Sequence, residues 1–254
     1  MVRGLYTSAL GMITHMQRMD VTTHNMAHVN TTGHKRDHVV SHAFSDEMMV
    51  RLNDPGVRMF RDSLQHNIGN INPGVFVDDI VTVWEQGTLQ MTDNDLDLAL
   101  SGQGFFTVML DDEELFTRSG SLTLFNGLLM TSDGGRVQGL NGDINLPNGN
   151  IVIDEDGRIF VESEYIDTLR LTSFTDLHSL RKMQDNLFRT TEQSEEIPFV
   201  GSVQQGFLEG SNVNIVREMV NMINNSRAYE TNARMITKID QTLQHAVNSI
   251  GTRS

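Results

Sequence analysis

Histidines near the N-terminus are the side chains in this sequence that are best suited to bind a metal. Six of the nine lie between residues 15 and 42. His24 and His28 are four residues apart, a spacing at which two imidazoles on one helix face can share a metal ion. No glutamate follows the first histidine as in the H-E-x-x-H pattern, and Gly33 separates this pair from the later histidines. A metalloenzyme is therefore a minor alternative, and we predict no metal site.

Other candidate chemistry is weaker still. Asp93, Asp95 and Asp97 alternate like the start of a calcium-binding loop, but Leu98 and Gly104 occupy the sixth and twelfth positions, where that loop needs Gly and Glu. The chain has no cysteine, which excludes thiolate metal sites, thiol nucleophiles and disulfides. No serine stands in a G-x-S-x-G context. We predict a protein that is not an enzyme and has no catalytic residues, cofactor or metal.

The charge of the chain restricts its partners. The sequence has 19 Lys and Arg against 33 Asp and Glu, a net charge of −14. Such an acidic surface repels nucleic acid and anionic membranes, so neither is an expected partner. The sequence shows no apolar run of spanning length and no apolar segment with a small-residue cleavage site. We therefore expect no membrane insertion and no cleaved signal peptide.

The elements that position these residues begin with a heptad pattern at each end of the chain. Apolar side chains recur there in steps of 4 and 3, with a few polar interruptions, as at the a and d positions of a coiled coil. The N-terminal seam consists of Leu5, Ala9, Met12, Met16, Met19 and Met26. The C-terminal seam consists of Ile215, Met219, Met222, Tyr229, Ala233, Ile236, Leu243, Val247 and Ile250. Asn30, Thr31, Thr32 and Gly33 should end the first helix in a turn.

Between the two helices the hydrophobic period changes from 3.5 to 2, with runs such as Phe105–Val108. Asx-Gly steps recur every 7 or 8 residues from Asn126-Gly127 to Asp156-Gly157, and each favours a tight turn. The sequence therefore predicts an α+β fold. Long N- and C-terminal helices of coiled-coil type, packed together, should flank a β-rich middle domain of short strands and tight turns.

These patterns also predict a domain organisation. Residues 1–34 and 211–254 should form a terminal helical domain, residues 35–80 an extended linker region, and residues 81–210 the β-rich domain. Together the two helices carry more apolar surface than one chain can cover. We therefore expect neighbouring molecules to cover the remainder.

Several ordered motifs resemble those of the bacterial flagellar basal-body rod and hook proteins. Together they span most of the chain. They are Leu5–Ala9, His24–Arg36, Gln86–Leu89, Leu96–Ala99, Gly102–Phe106, Thr117–Gly120, Gln205–Val213, Glu218–Ile223 and Arg227–Asn232.

This resemblance implies a structural subunit that polymerises helically, through its terminal helices, into the drive shaft that links motor to hook. The terminal helices would line an inner tube, the β-rich domain would lie outside it, and Asn25, Asn30, Thr31, Thr32 and Gly33 would redirect the chain between the two. Implied partners are further copies, other rod and hook proteins, the flagellar type III export apparatus and, where an outer membrane exists, bushing ring proteins. The implied location is the extracytoplasmic basal body, reached without a cleaved signal peptide.

Two other classes stay open at this point. One is the metalloenzyme already described, which would use the histidine cluster. The other is a coiled-coil adhesin or chaperone-like binding module, in which the seams would build a closed oligomer of fixed size. Which paralogue of the rod and hook family the chain represents is also open.

Overall fold

A computed structural model describes residues 2–51, 66–147, 149–184 and 186–251. The chain divides into two compact units, each built from segments that are distant in sequence. The terminal unit comprises residues 1–23, 38–81 and 219–254, and the central unit comprises residues 24–37 and 82–218.

A single long helix lies at each end of the described chain. Helix α1 spans Val2–Ala27, and helix α2 spans Ile215–Gly251. The side chain of Asn214 accepts the backbone N–H of Arg217 at 3.1 Å, and Glu218 lies in the first turn. Both features stabilise the start of a helix. Neither helix, within the described residues, is long and apolar enough to cross a membrane.

The α+β class fits the structure, but the prediction of coiled-coil helices packed together is wrong. The buried side chains of α1 are small and polar, namely Ser8, Thr14, Thr22 and Asn25, and none belongs to the N-terminal seam. In α2 the described buried side chain is Glu218, also outside its seam. A coiled coil needs interlocking apolar residues at the a and d positions. The heptad pattern locates the apolar residues correctly, but it does not reveal which face the rest of the chain covers.

Polar groups make the contacts of α1 within the terminal unit. Thr14 Oγ1 donates a hydrogen bond to the carbonyl of Leu10 at 3.0 Å and is 3.3 Å from that of Val75. The guanidinium of Arg18 donates to Ser41 Oγ at 2.6 Å. Hydrogen bonds therefore help to hold helix α1 in place, alongside its half-buried apolar side chains.

The described residues between positions 37 and 82 form four strands: β1 Asp37–Ala43, β2 Glu47–Arg51, β3 His66–Ile71 and β4 Val75–Thr82. Strand β1 pairs with β4, and β2 pairs antiparallel with β3. Nearly all of these residues belong to the terminal unit, although the sequence predicted a linker over 35–80.

The central unit consists of short antiparallel strands. They are β5 Leu89–Met91, β6 Leu98–Gly102, β7 Phe105–Leu110, β8 Glu113–Thr117, β9 Leu122–Phe125, β10 Leu128–Thr131, β11 Arg136–Gly139, β12 Gly142–Asp143, β13 Ile151–Ile153, β14 Arg158–Val161, β15 Glu164–Thr168, β16 Leu171–Phe174, β17 Arg181–Gln184, β18 Leu187–Arg189, β19 Glu196–Pro198, β20 Gly201–Gln205 and β21 Phe207–Glu209.

The largest sheet runs in the order β17-β18-β8-β7-β11-β10-β9, with β12 attached to β11, and with β16 attached to β7 and paired with β19. A second sheet has the order β13-β14-β15, and β20 pairs with β6 and β21 with β5. Leu98, Phe106, Val108, Leu129 and Ile159 are among the fully buried residues of one continuous core.

Tight turns connect the strands where the Asx-Gly steps predicted them. Asn126 and Gly127 have φ angles of 52° and 84° between β9 and β10, as a two-residue hairpin requires. Gly134, Gly142 and Gly157 also have positive φ. Asn148, in another predicted step, lies outside the described residues. The prediction of a β-rich middle with tight turns is confirmed.

Candidate functional site

The candidate site begins with a carboxylate that lies between two cations inside the central unit. The side chain of Glu209, at the end of β21, is only 1% exposed. Its Oε1 lies 2.6 Å from Nζ of Lys35, and its Oε2 lies 2.6 Å from Nε of Arg118. We call these three residues the junction triad. They join segments that are far apart in sequence: the turn after α1, the loop after β8 and the end of β21.

Backbone carbonyls accept further hydrogen bonds from the two cations of the triad. Arg118 donates to the carbonyls of Leu100 at 2.9 Å and Gly102 at 2.6 Å, and it also donates to that of Gly104. Lys35 Nζ donates to the carbonyl of Glu85 at 2.8 Å. A buried ion pair is compatible with a stable fold only when its remaining donors find such partners. Four backbone carbonyls provide such partners for the triad.

The triad has a defined electrostatic state. Burial by itself raises the pKa of the Glu209 carboxyl, but Arg118 and Lys35 outweigh burial and hold that pKa below its usual value. Burial is also the largest influence at Lys35 and lowers the pKa of its amine, against the attraction of Glu209. Glu209 is therefore a carboxylate at neutral pH.

The turn after α1 packs against the same place. Gly33 has a φ of 69°, and its N–H donates to the carbonyl of Glu209 at 2.7 Å. A Cβ at Gly33 would lie 2.5 Å from the backbone N of Ser119, so no larger residue fits. Thr32 Oγ1 lies 2.9 Å from Ser119 Oγ, and the amide of Asn186 donates to the carbonyl of Thr32 at 2.6 Å.

Two asparagines connect the turn to the neighbouring strands. The side chain of Asn25 is buried and exchanges two hydrogen bonds with the backbone of Asp37, at 2.8 Å and 2.9 Å. Asn212 accepts the N–H of Arg36 at 2.8 Å and donates to the carbonyl of Val83 at 2.8 Å. These bonds fix the direction in which the chain leaves α1.

The structure therefore brings most of the predicted turn residues to one place. Asn25 and Gly33 are buried, Thr31 and Thr32 are half-buried, and Asn30 is exposed. Their role in assembly stays a prediction.

The seam residues are covered only in part, and their role in assembly also stays a prediction. Leu5, Ala9, Met12, Met19 and Met26 are half-buried, and Met16 is 45% exposed. In the C-terminal seam, Met222, Tyr229, Ala233, Ile236 and Leu243 are half-buried, whereas Ile215, Met219 and Val247 are exposed. The side chain of Ile250 lies outside the described residues.

The two helices nevertheless touch within the terminal unit. A Cβ added to Gly4 would lie 3.3 Å from Ile239, and one added to Gly11 would lie 2.8 Å from Asn232. His15 Nδ1 lies 3.2 Å from Asn225 Oδ1. None of the residues in these contacts belongs to either seam.

The histidines form a stack of rings rather than a ligand set. The ring centroids of His24 and His28 are 4.7 Å apart, and those of His28 and His34 are 4.8 Å apart with the rings nearly parallel. Within the described residues, no group of three or more His, Cys, Asp or Glu side chains is arranged to hold a metal ion.

The triad is the part of the site that the sequence did not predict. Lys35, Arg118 and Glu209 each lie in a motif on which the family resemblance rests. A signal was available, because three charged residues in motifs shared with a structural family suggest a common buried site. Their separation of more than 80 residues hid the pairing.

Comparison with known proteins finds family matches that include two residues of the triad. Residues 204–249 match the family model described as flagellar basal body rod FlgEFG protein C-terminal. Residues 99–161 match the flagellar hook protein FlgE/F/G D1 domain. The first match contains Glu209 and most of α2, and the second contains Arg118.

Full-length relatives extend the likeness. The flagellar basal-body rod protein FlgG of Buchnera aphidicola subsp. Schizaphis graminum is 33% identical over 96% of this chain and 98% of its own length. FlgG of Borreliella burgdorferi is 32% identical over 98% of each chain. The rod protein FlgF of Caulobacter vibrioides is 30% identical over 99% of each chain.

The likeness thus covers both helices, the β-rich middle and the segments that build the triad. The resemblance inferred from the motifs is confirmed: the chain belongs to the flagellar basal-body rod protein family and is a structural subunit of the bacterial flagellar basal body.

Proposed function

We propose that the chain polymerises helically through α1 and α2 into the drive shaft that links the flagellar motor to the hook. The distal rod is its proposed place, with the proximal rod or another hook-basal body paralogue as the alternative. The relatives named FlgG, at 33% and 32% identity, support the first assignment over FlgF at 30%. The role is structural, without catalysis, metal or cofactor.

The observation that carries this proposal is an uncovered apolar stripe on α2. It consists of Ile215, Val216, Met219, Val220 and Ile223, with exposed fractions between 39% and 67%. Helix α1 exposes Tyr6, Ile13 and Met16 in the same way. Contiguous apolar surface of this kind marks sites of protein–protein contact. We propose that neighbouring copies cover both stripes.

Contacts of one copy on the next that do not close into a ring generate a helical polymer. Each added neighbour also stabilises the helices by mass action. Further copies of the chain are therefore proposed partners. The family likeness adds other rod and hook proteins, the type III export apparatus and, where an outer membrane is present, bushing ring proteins to the proposal. The proposed location is extracytoplasmic, reached by export without a cleaved signal peptide.

The test places a charge in the stripe. Val220→Asp and Ile223→Asp should abolish rod assembly and swimming, because a carboxylate would have to be buried between subunits. Asn224→Asp is the matched control, since it adds the same charge to an exposed position of the same helix. Electron microscopy of purified basal bodies and swimming in soft agar provide the two measurements.

All three variants should show the same thermal unfolding as the wild-type monomer, because the substituted side chains are exposed. Normal rods in the Val220 and Ile223 variants would contradict the proposal. A closed oligomer of fixed size from the wild-type chain would instead favour the adhesin or chaperone-like class.

A further inference from the structure

The sheet β13-β14-β15 of the central unit has an apolar outer face as well as an apolar inner face. Its inner face contributes buried residues such as Ile151 and Ile159 to the core. On the outer face, Val152 is paired with Phe160, and Phe160 is paired with Tyr165. Val152 is 48% exposed and Tyr165 is 50% exposed. The rings of Phe160 and Tyr165 are 5.9 Å apart and T-shaped, so they form one row.

A groove lies beside this row, and two further strands carry apolar side chains next to it. Val152, Phe160 and Phe207 of β21 line the groove, together with the polar residues Ser202, Gln204 and Gln205. Phe207 is paired with Met91 of β5, which is 67% exposed. We call Tyr165, Phe160, Val152, Phe207 and Met91 the apolar band. A band that crosses five strands differs from single exposed apolar residues, which are normal on any surface.

Acidic side chains surround the band. Residues 151–168 contain five exposed acidic side chains and a single basic one, Arg158, whereas a sixth acid, Asp167, is buried. Arg158 lies 3.4 Å from Asp156, so it is already paired. Asp154 and Glu155, both exposed, line the groove itself. At the other end of the band, the exposed Asp93 follows Met91 by two residues.

This charge decides among the possible occupants. A second copy of the chain carries a net charge of −14 and would bring mainly negative charge to an acidic rim. Nucleic acid and anionic lipid are repelled for the same reason. A protein surface with a row of apolar side chains between lysines or arginines matches both the band and its rim, because complementary charge raises the rate and specificity of association.

We propose that the apolar band is a docking site for a different protein whose contact surface is cationic and apolar. The aromatic row would provide the buried centre of the interface, and the acids would form its charged rim. The band consists of strand residues of the central unit and shares no residue with the stripes on α1 and α2 by which we propose that the chain polymerises.

The test measures binding of two fluorescent peptides to the full-length chain by anisotropy. One peptide is Lys-Leu-Lys-Phe-Lys-Leu-Lys, and its matched control has Glu in place of each Lys. We expect the cationic peptide alone to bind, with an affinity that falls as salt is added. The double variant Phe160→Thr/Tyr165→Thr should weaken binding about tenfold, the loss expected for removal of an aromatic centre.

Phe125→Thr is the control for a general loss of exposed aromatic surface, since Phe125 is exposed on the β9–β10 hairpin outside the band. It should leave binding unchanged. Asp154→Asn/Glu155→Gln tests the rim independently and should reduce both the affinity and its salt dependence. Unfolding midpoints of all variants show whether each remains folded.

Several results would overturn the proposal. Equal binding of both peptides, or unchanged binding by the two double variants, would show that the band recognises nothing specific. Absence of binding by the cationic peptide would also overturn it. If Phe160→Thr/Tyr165→Thr instead abolished self-association in sedimentation, the occupant would be a second copy. Rod assembly through α1 and α2 would remain a separate question in each case.

Discussion

At the scale of single residues, the central unit depends on a carboxylate that two cations surround. Glu209 neutralises only part of the charge of Lys35 and Arg118, and backbone carbonyls accept further hydrogen bonds from both cations. A buried ion pair stabilises a fold little more than well-packed apolar side chains of the same volume would. Removal of one partner, however, leaves an uncompensated buried charge. The triad is therefore a point where a one-atom change should have a large effect.

Glu209→Gln tests this directly. The substitution keeps the shape of the side chain but leaves Lys35 and Arg118 buried without a counter-charge. We expect the free energy of unfolding to fall by about 3–5 kcal/mol in urea titrations. Asp156→Asn is the matched control because it removes an exposed ion pair with Arg158, and it should change stability by about 0.5 kcal/mol or less. Equal effects of the two substitutions would contradict the role of the triad.

The triad also predicts a dependence on acid. The pKa of Glu209 is lower in the folded chain than its usual value of 4.5, so the unfolded chain binds a proton first as the pH falls. The stability that this group contributes is complete above that value and is lost as the pH falls through the lower, folded value. Below pH 4.5, the free energy of unfolding measured in urea should therefore fall more steeply with falling pH for wild type than for Glu209→Gln. Parallel curves would argue against an ionised Glu209.

At the scale of elements, the turn that ends α1 depends on one glycine. Both Gly33 and Gly134 have a positive φ, which strains an alanine. Gly33→Ala adds to this strain a clash with the backbone of Ser119, whereas nothing lies within 4 Å of a Cβ at Gly134. We expect Gly33→Ala to lower the free energy of unfolding by about 2 kcal/mol more than Gly134→Ala does. Thermal or urea unfolding of both variants provides the comparison, and equal losses would show that Gly33 is not packed as described.

Local patterns predicted the elements well and their partners poorly. The two helices and the Asx-Gly turns follow from residue type and period, which are properties of neighbouring residues. The buried face of α1 could not be predicted in this way, because its buried residues Thr14 and Thr22 are polar and do not contribute to a hydrophobic pattern. The triad was missed for a related reason: the contact between Lys35 and Glu209 joins positions 174 residues apart. Only the assembled strands bring them together.

At the scale of the whole molecule, the chain contributes to the central unit twice, with residues 24–37 and with residues 82–218. The predicted β-rich domain, 81–210, lacks the first of these segments. A fragment of residues 82–218 has Glu209 and Arg118 but no Lys35 and no turn against Ser119. We expect it to unfold at a lower urea concentration than a fragment of residues 24–218, which retains both. Equal midpoints would show that residues 24–37 contribute nothing to the stability of the central unit.

The polar face of α1 has a consequence for how subunits join a growing polymer. Burial of Ser8, Thr14 and Thr22 yields little transfer free energy compared with burial of apolar side chains, and the apolar side chains of this helix are only partly covered by the chain itself. Under the proposed assembly, a neighbouring copy that covers Tyr6, Ile13 and Met16 would add apolar burial to a helix whose fully buried side chains are polar.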